Sequence, residues 1–187
     1  MAVLDEPKLL EGSFLDPACV SGIFLVILFT RLANRWLMQN SRAHYPTKVK
    51  AFLDILSHQI NGVDLEETAC RIACFSLYLA YLDFFDPPDI LEYIRKTGRP
   101  LPKLIDYGNE TDRPEADIAV IYKADFLEDD IKAAQPYDCV IGNPPWGQKA
   151  VGDGERVKRY IRSVYRSVRG IYDFFRPFVE RGIKLLR

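Results

Sequence analysis

A chain of 187 residues, 48% hydrophobic and 27% charged, suits one globular domain with a sizeable core; disorder is not the expectation, and the sequence holds no internal repeat or low-complexity tract. The net charge of −1 conceals an asymmetry: positions 61–130 hold 16 acidic and 7 basic side chains, and positions 156–187 hold 10 basic and 2 acidic ones. The basic stretch suits either a phosphate backbone or a solvated helix face. The longest apolar run, 22–29, stops at Thr30-Arg31, far short of a bilayer span, and no basic segment with a cleavage site precedes it. No membrane partner is expected, and the default setting is a reduced, prokaryotic-type cytoplasm. The four cysteines have no paired zinc spacing, and neither His44 nor His58 lies near one, so no metal is expected.

In chain order, Ser13-Phe14-Leu15 reads as a short strand ending at Asp16-Pro17. A helix follows over about 22–39, with Leu25, Leu28, Leu32 and Trp36 at helical spacing. Tyr45-Pro46-Thr47 is expected to end one helix and cap the next, over about 47–57. Positions 59–65 read as a second strand and 66–83 as a helix that carries Cys70 and Cys74 into the core. Asp86-Pro87-Pro88-Asp89 opens a short helix to about Lys96, and 98–115 reads as a surface connection. Positions 118–122 and 137–142 are the third and fourth strands, 147–156 a flexible loop, and the rest helical, with Pro177 a candidate break. This alternation predicts one α/β domain over 1–187: a mostly parallel sheet with helices on both faces.

Ligands of such sheets bind beyond the carboxyl ends of the strands, where Asp16, Asp64, Asp125 and Asn143 are all expected to fall. Asp16-Pro17-Ala18-Cys19-Val20-Ser21-Gly22 is a strand-to-helix turn of small residues. It lets backbone N–H groups and a helix N-terminus approach an anion such as a methionine carboxylate. It has neither the three-glycine nor the Gly-Lys-Ser/Thr phosphate signature. Asp64, before Leu65, can accept from both ribose hydroxyls of an adenosine-containing cofactor, or can cap the next helix. Asp125-Phe126 can bind an adenine through its amino group and stack on its ring.

The fourth strand runs into Asn143-Pro144-Pro145-Trp146. Asn-Pro-Pro-aromatic should arise by average usage at roughly 10⁻⁵ per position, which sets it apart from the other elements. The nitrogen of an exocyclic amino group has its lone pair delocalised into the ring and is a poor nucleophile. The Asn143 side-chain oxygen and the Pro144 carbonyl can each accept one of its protons and favour a pyramidal nitrogen aimed at a methyl donor. The prolines hold that carbonyl in place, and Trp146 offers a face on which an extruded base stacks. Neither a metal nor a covalent nucleophile is needed.

With these four elements in this order, the chain resembles adenine-N6 DNA methyltransferases, specifically the methylase regions of fused restriction–modification enzymes. Asp16 to Gly22 matches their Asp-Pro-Ala-Cys-Gly-Ser-Gly, with Val20 in place of the central glycine. Asp64, Asp125-Phe126 and Asn143-Pro144-Pro145-Trp146 match their ribose, adenine and catalytic positions. The resemblance implies a Rossmann-like fold, S-adenosyl-L-methionine as cofactor, and double-stranded DNA with a flipped adenine as substrate. It also implies a cofactor-covering Tyr-Thr-Pro segment before Gly12, about three further strands after the last helix, and a target-recognition domain in the full-length protein. None of these occurs between Met1 and Arg187, so the chain reads as the front part of a larger enzyme. A φ above zero at position 20 would strain the β-branched Val20.

Three other readings remain. Ribosomal RNA guanine or protein glutamine nitrogen poses the same chemical problem. A remnant that keeps the fold without turnover is another possibility. Cytosine-C5 methylation is disfavoured, because it needs a cysteine nucleophile after its proline and Cys139 precedes Asn143.

Overall fold

A computed structural model describes residues 11–98, 104–106, 120–128, 136–147, 154–170 and 173–187. Five strands form one sheet: β1 (Phe14–Asp16), β2 (Ile60–Asp64), β3 (Ile105–Asp106), β4 (Ile121–Lys123) and β5 (Cys139–Val140). Their order is β3-β4-β2-β1-β5, and every pairing is parallel. β1 lies between β2 and β5, with Phe14 opposite both Ile60 and Cys139. The chain moves outward from β1 through β2 to β3 at the edge, comes back to β4 between β3 and β2, and then crosses to the other side of β1 as β5. Between β1 and β5 the winding reverses, which in an open parallel sheet opens a crevice at the carboxyl ends.

Alternation along the strands divides the apolar residues between two cores. Phe14, Ile60 and Ile121 join the helices α1 (Ile23–Gln39), α2 (Tyr45–Gln59) and α3 (Glu67–Leu82) in one core. Leu15 and Val63 face the other, with residues from α5 (Gly154–Val164), from α6 (Phe175–Lys184) and from the segment joining them. The short α4 (Pro87–Thr97) packs Ile90 and Tyr93 against the rim of the first core. The first core is rich in aromatic edge contacts: the buried Phe52 ring sits 6.0 Å from Phe29, 5.8 Å from Trp36 and 5.0 Å from Phe84. Such pairs add to the area that they bury. Cys70 and Cys74 are buried free thiols in the same core, and burial pushes them up to about 12 and about 11.

The fold is the expected α/β layer with helices on both faces of a parallel sheet. Several boundaries differ from expectation. Tyr45 and Pro46 begin α2 instead of separating two helices, because proline at the first helical positions sacrifices no hydrogen bond. The connection expected over 98–115 contains β3, which Leu104 enters by accepting from the N–H groups of Val120 and Ile121. The remainder of that stretch, 99–103 and 107–115, lies outside the described residues, as do 118–119 of the expected third strand. Pro177 does not divide the last helices. Among the described residues, 165–170 and 173–174 lie between α5 and α6, and Pro177 sits buried in the first turn of α6. Tyr137 leaves β5 and pairs instead with Leu186. Of the expected loop 147–156, positions 148–153 lie outside the described residues and 154–156 begin α5. Among the described residues no single helix is long and apolar enough to cross a membrane, and no three His, Cys, Asp or Glu side chains gather as metal ligands.

Because Phe52 supports four aromatic neighbours, Phe52→Ala is expected to cost about 3–5 kcal/mol in a urea titration. A loss below about 1 kcal/mol would show that this cluster closes around the cavity.

Candidate active site

Asp16 ends β1 and its side chain is fully buried. Its Oδ1 accepts the Ala18 N–H at 3.1 Å, and among the described residues its Oδ2 is buried with no hydrogen-bond partner. Desolvation raises the carboxyl to about 7, opposed by the Ala18 hydrogen bond and reinforced by the charge of Asp64. The partner strand tolerates this carboxylate only because position 142 has no side chain. A Cβ on Gly142 would lie 2.5 Å from Asp16 Oδ1 and 3.1 Å from the Pro17 ring. The ends of β1 and β5 therefore meet at the switch point, and Asn143 begins where Asp16 stops.

The turn after β1 is pinned to the end of β2. Cys19 N–H donates to the Val63 carbonyl at 2.9 Å, and Val20 N–H donates to Asp64 Oδ2 at 2.9 Å. The second bond requires Val20 to turn its amide back toward β2, and Val20 has φ 47°, the left-handed region. That conformation costs a side-chain-bearing residue roughly 1–2 kcal/mol. The strain expected for a valine at this position is thus present. Gly22, at φ 76°, caps α1 without a side-chain acceptor, and its missing Cβ lets α3 approach, since a Cβ would lie 3.0 Å from Ala73 Cβ. The first turn of α1 carries no acidic residue and its N-cap makes no side-chain hydrogen bond, so this helix end remains suited to an anionic ligand. Ser21 stands exposed at the same corner, while Cys19 is buried beneath it with its thiol pushed upward by burial.

Asp64 engages both oxygens. Oδ2 holds Val20, and Oδ1 accepts Glu66 N–H at 2.9 Å, closing the turn before α3. Glu66, not Asp64, is the N-cap of that helix. Leu65 beside it is about half exposed. Asp125, just after β4, accepts Leu127 N–H at 2.8 Å. The ring of Phe126 departs from the stacking role expected of it. It is buried in the second core, stacked on Phe178 at 5.2 Å with the Arg181 guanidinium 5.3 Å from its centre, and so offers no free face. Apolar burial against α6 takes precedence over exposure at the edge.

Asn143, Pro144, Pro145 and Trp146 leave the edge of the sheet partly to fully exposed. Trp146 is 68% exposed, its ring lies 5.1 Å from Phe175, and its indole N–H donates to Asn143 Oδ1 at 3.0 Å. Gly147 closes the segment: its N–H donates to Asp173 Oδ1 at 2.9 Å, and its carbonyl accepts Phe174 N–H at 2.9 Å. An apolar cleft of about 200 Å³ runs beside the loop, lined by Pro17, Val140, Gly142, Pro144, Phe178 and Gly182 among others. Sequence reasoning missed Asp173 and Phe175. The available signal was an aspartate two residues ahead of a helix.

The family described as Eco57I restriction-modification methylase matches residues 58–187. The type II restriction enzyme and methyltransferase RM.Eco57I of Escherichia coli is 26% identical over 208 aligned positions, covering 96% of this chain and 19% of that protein. The type II methyltransferase M.BstVI of Geobacillus stearothermophilus is 25% identical, covering 97% of this chain and 28% of its own length. This chain thus spans between a fifth and three tenths of these curated relatives. Among solved structures, the type IIL restriction-modification enzyme MmeI in complex with DNA aligns with a TM-score of 0.54 at 22% identity, over 95% of this chain and 23% of MmeI. A nuclease-deletion mutant of the type ISP enzyme LlaGI, in complex with a DNA substrate mimic, aligns with a TM-score of 0.55 at 15% identity, over 99% of this chain and 16% of LlaGI. At these identities the two structures establish the fold.

The raised Asp16 carboxyl has a sign that can be measured. A group that is easier to protonate in the folded state contributes stability below its ordinary value of 3.8, and that contribution is lost as pH rises through about 7. Glu180, held down to about 2 by the Ser167 N–H, and Asp138, held down by the Ser13 N–H, act oppositely. Comparison of wild type with Asp16→Asn cancels both. The stability of Asp16→Asn relative to wild type is expected to rise between pH 4 and pH 7 in urea titrations. A flat difference would mean that Asp16 keeps its ordinary acidity.

Proposed function

Because this chain belongs to the Eco57I restriction-modification methylase family, we propose that it forms the methyl-transfer site of a DNA methyltransferase within a restriction–modification system, acting on the N6 amino group of adenine. The observation that carries this reading is the exit of Asn143-Pro144-Pro145-Trp146 from β5 at the switch point, against the buried Asp16.

The residues present fit S-adenosyl-L-methionine. Asp16 Oδ2 is a buried acceptor lacking a donor among the described residues, which an ammonium would supply, and the N-terminus of α1, with no side-chain cap, suits a carboxylate. Asp64 retains acceptor capacity beside Leu65 for ribose hydroxyls, since each carboxylate oxygen accepts one backbone N–H and can accept two bonds. Asp125 would take the amino group of the cofactor's adenine, with the Phe126 backbone rather than its ring lying alongside. The cofactor supplies a methyl group already activated by its sulfonium centre.

This chain's own contribution is positioning and electrostatics. Asn143 Oδ1 and the Pro144 carbonyl accept the two N–H protons of the target amino group and so localise its lone pair. Pro144 and Pro145 hold the main chain through its fixed φ values. The exposed face of Trp146 receives the extruded base, worth about 1–3 kcal/mol in stacking. As nitrogen takes the methyl, the sulfur–methyl bond would break with its electron pair left on sulfur as a neutral thioether; the nitrogen becomes cationic, its N–H groups become stronger donors to the same two oxygens, and one proton then leaves to solvent. Arg159, Arg166, Arg169 and Arg176 stand exposed on the α5–α6 side, where their charge suits DNA phosphates.

Asn143→Ala is expected to leave the dissociation constant for S-adenosylmethionine within about twofold in calorimetry. Transfer of labelled methyl to DNA should fall by at least about 100-fold, the usual effect of deleting an electrostatic donor or acceptor at a reacting group. Transfer retained within tenfold of wild type would remove Asn143 from the mechanism.

A further inference from the structure

An asparagine amide has two ends of nearly the same shape and opposite hydrogen-bonding character. Only its oxygen can accept from the target amino group. Turned end for end, the side chain would oppose N–H to N–H. Asn-Pro-Pro alone does not choose between these states. Its neighbour does: Trp146 Nε1–H reaches Asn143 Oδ1 at 3.0 Å, and an indole only donates. The bond therefore exists in one amide orientation and is lost in the other. An amide oxygen has two acceptor sites, so one is left for the base.

The indole is itself held in place. Phe175 packs against the ring with centroids 5.1 Å apart and planes tilted by 40°, and Gly147, the next residue, is tied on both sides to the entry of α6 through Asp173 Oδ1 and Phe174 N–H. With 68% of Trp146 still exposed, donating to Asn143 does not consume the face that a base would use. Resting on the methyl-transfer reading above, we propose that Trp146 is a positioning residue that selects which end of the Asn143 amide meets the target amino group, a task distinct from stacking. A phenylalanine could stack equally well but could not make this choice.

The test is a double-mutant cycle in kcat with the full chain, S-adenosylmethionine and an adenine-containing duplex. Trp146→Phe keeps the ring and removes the donor. It is expected to lower kcat about fivefold, the size of one ordinary hydrogen bond, with KM for DNA changed less than about twofold. In an Asn143→Asp background both ends of the side chain are oxygen and nothing remains to be selected, so the same substitution should change kcat less than about 1.5-fold. An unchanged kcat for Trp146→Phe, or the same loss in both backgrounds, overturns the proposal. Nuclear magnetic resonance reads the bond without turnover. The chain has two tryptophans, and Asn143→Ala should shift the Trp146 indole proton upfield and speed its exchange with solvent. An unmoved resonance overturns the proposal independently. Wild-type transfer to a group other than adenine would instead count against the parent reading, while the resonance still decides whether Trp146 holds the amide.

Discussion

The end of β1 and the end of β5 approach so closely that a buried carboxylate occupies the place of a side chain at position 142. Everything at the carboxyl edge follows from that approach. It places the turn after β1 against the segment after β5, and it takes Asp16 out of water, which is why its proton is held up to about 7. It also sets the starting point of Asn143. A parallel sheet has one carboxyl edge, so a site spread over four strand ends needs only correct strand order to assemble. Here the order reverses between β1 and β5, and the crevice falls at that reversal.

Two unfavourable features sit within a few residues of this approach, and one of them is compensated locally. Val20 adopts a left-handed backbone, and its N–H gains the Asp64 carboxylate in return. Among the described residues Asp16 Oδ2 has no hydrogen-bond partner. Strain and unmet hydrogen bonding of this kind persist where surrounding packing over-determines the backbone, and they cluster at sites that act on ligands. The packing that imposes them is substantial: an aromatic core on one face of the sheet, and on the other a second core that draws in Phe126.

The sheet edge was legible in the sequence because each strand end carries a polar residue immediately after an apolar run, and because strands alternate with helices. Asp16, Asp64, Asp125 and Asn143 fall where that pattern predicts. What stayed hidden depended on contacts distant in sequence. The bond from Gly147 to Asp173 spans 26 positions and has no local signature. β3 is two residues long, too short for any periodicity. The burial of Phe126 follows from the position of α6, which no dipeptide announces. Pro177 misled for a different reason: proline is costly inside a helix but tolerated in its first turn, and only the structure shows where that turn lies.

The central claim is that this edge presents two oxygens to a planar amino nitrogen and that adenine carries it. The most direct measurement is to incubate the protein with DNA and methyl-labelled S-adenosylmethionine, digest the DNA to nucleosides and identify the labelled product by chromatography and mass spectrometry. The account predicts label in N6-methyldeoxyadenosine alone. Label in 5-methyldeoxycytidine, or in any nucleoside other than the adenine product, would contradict it.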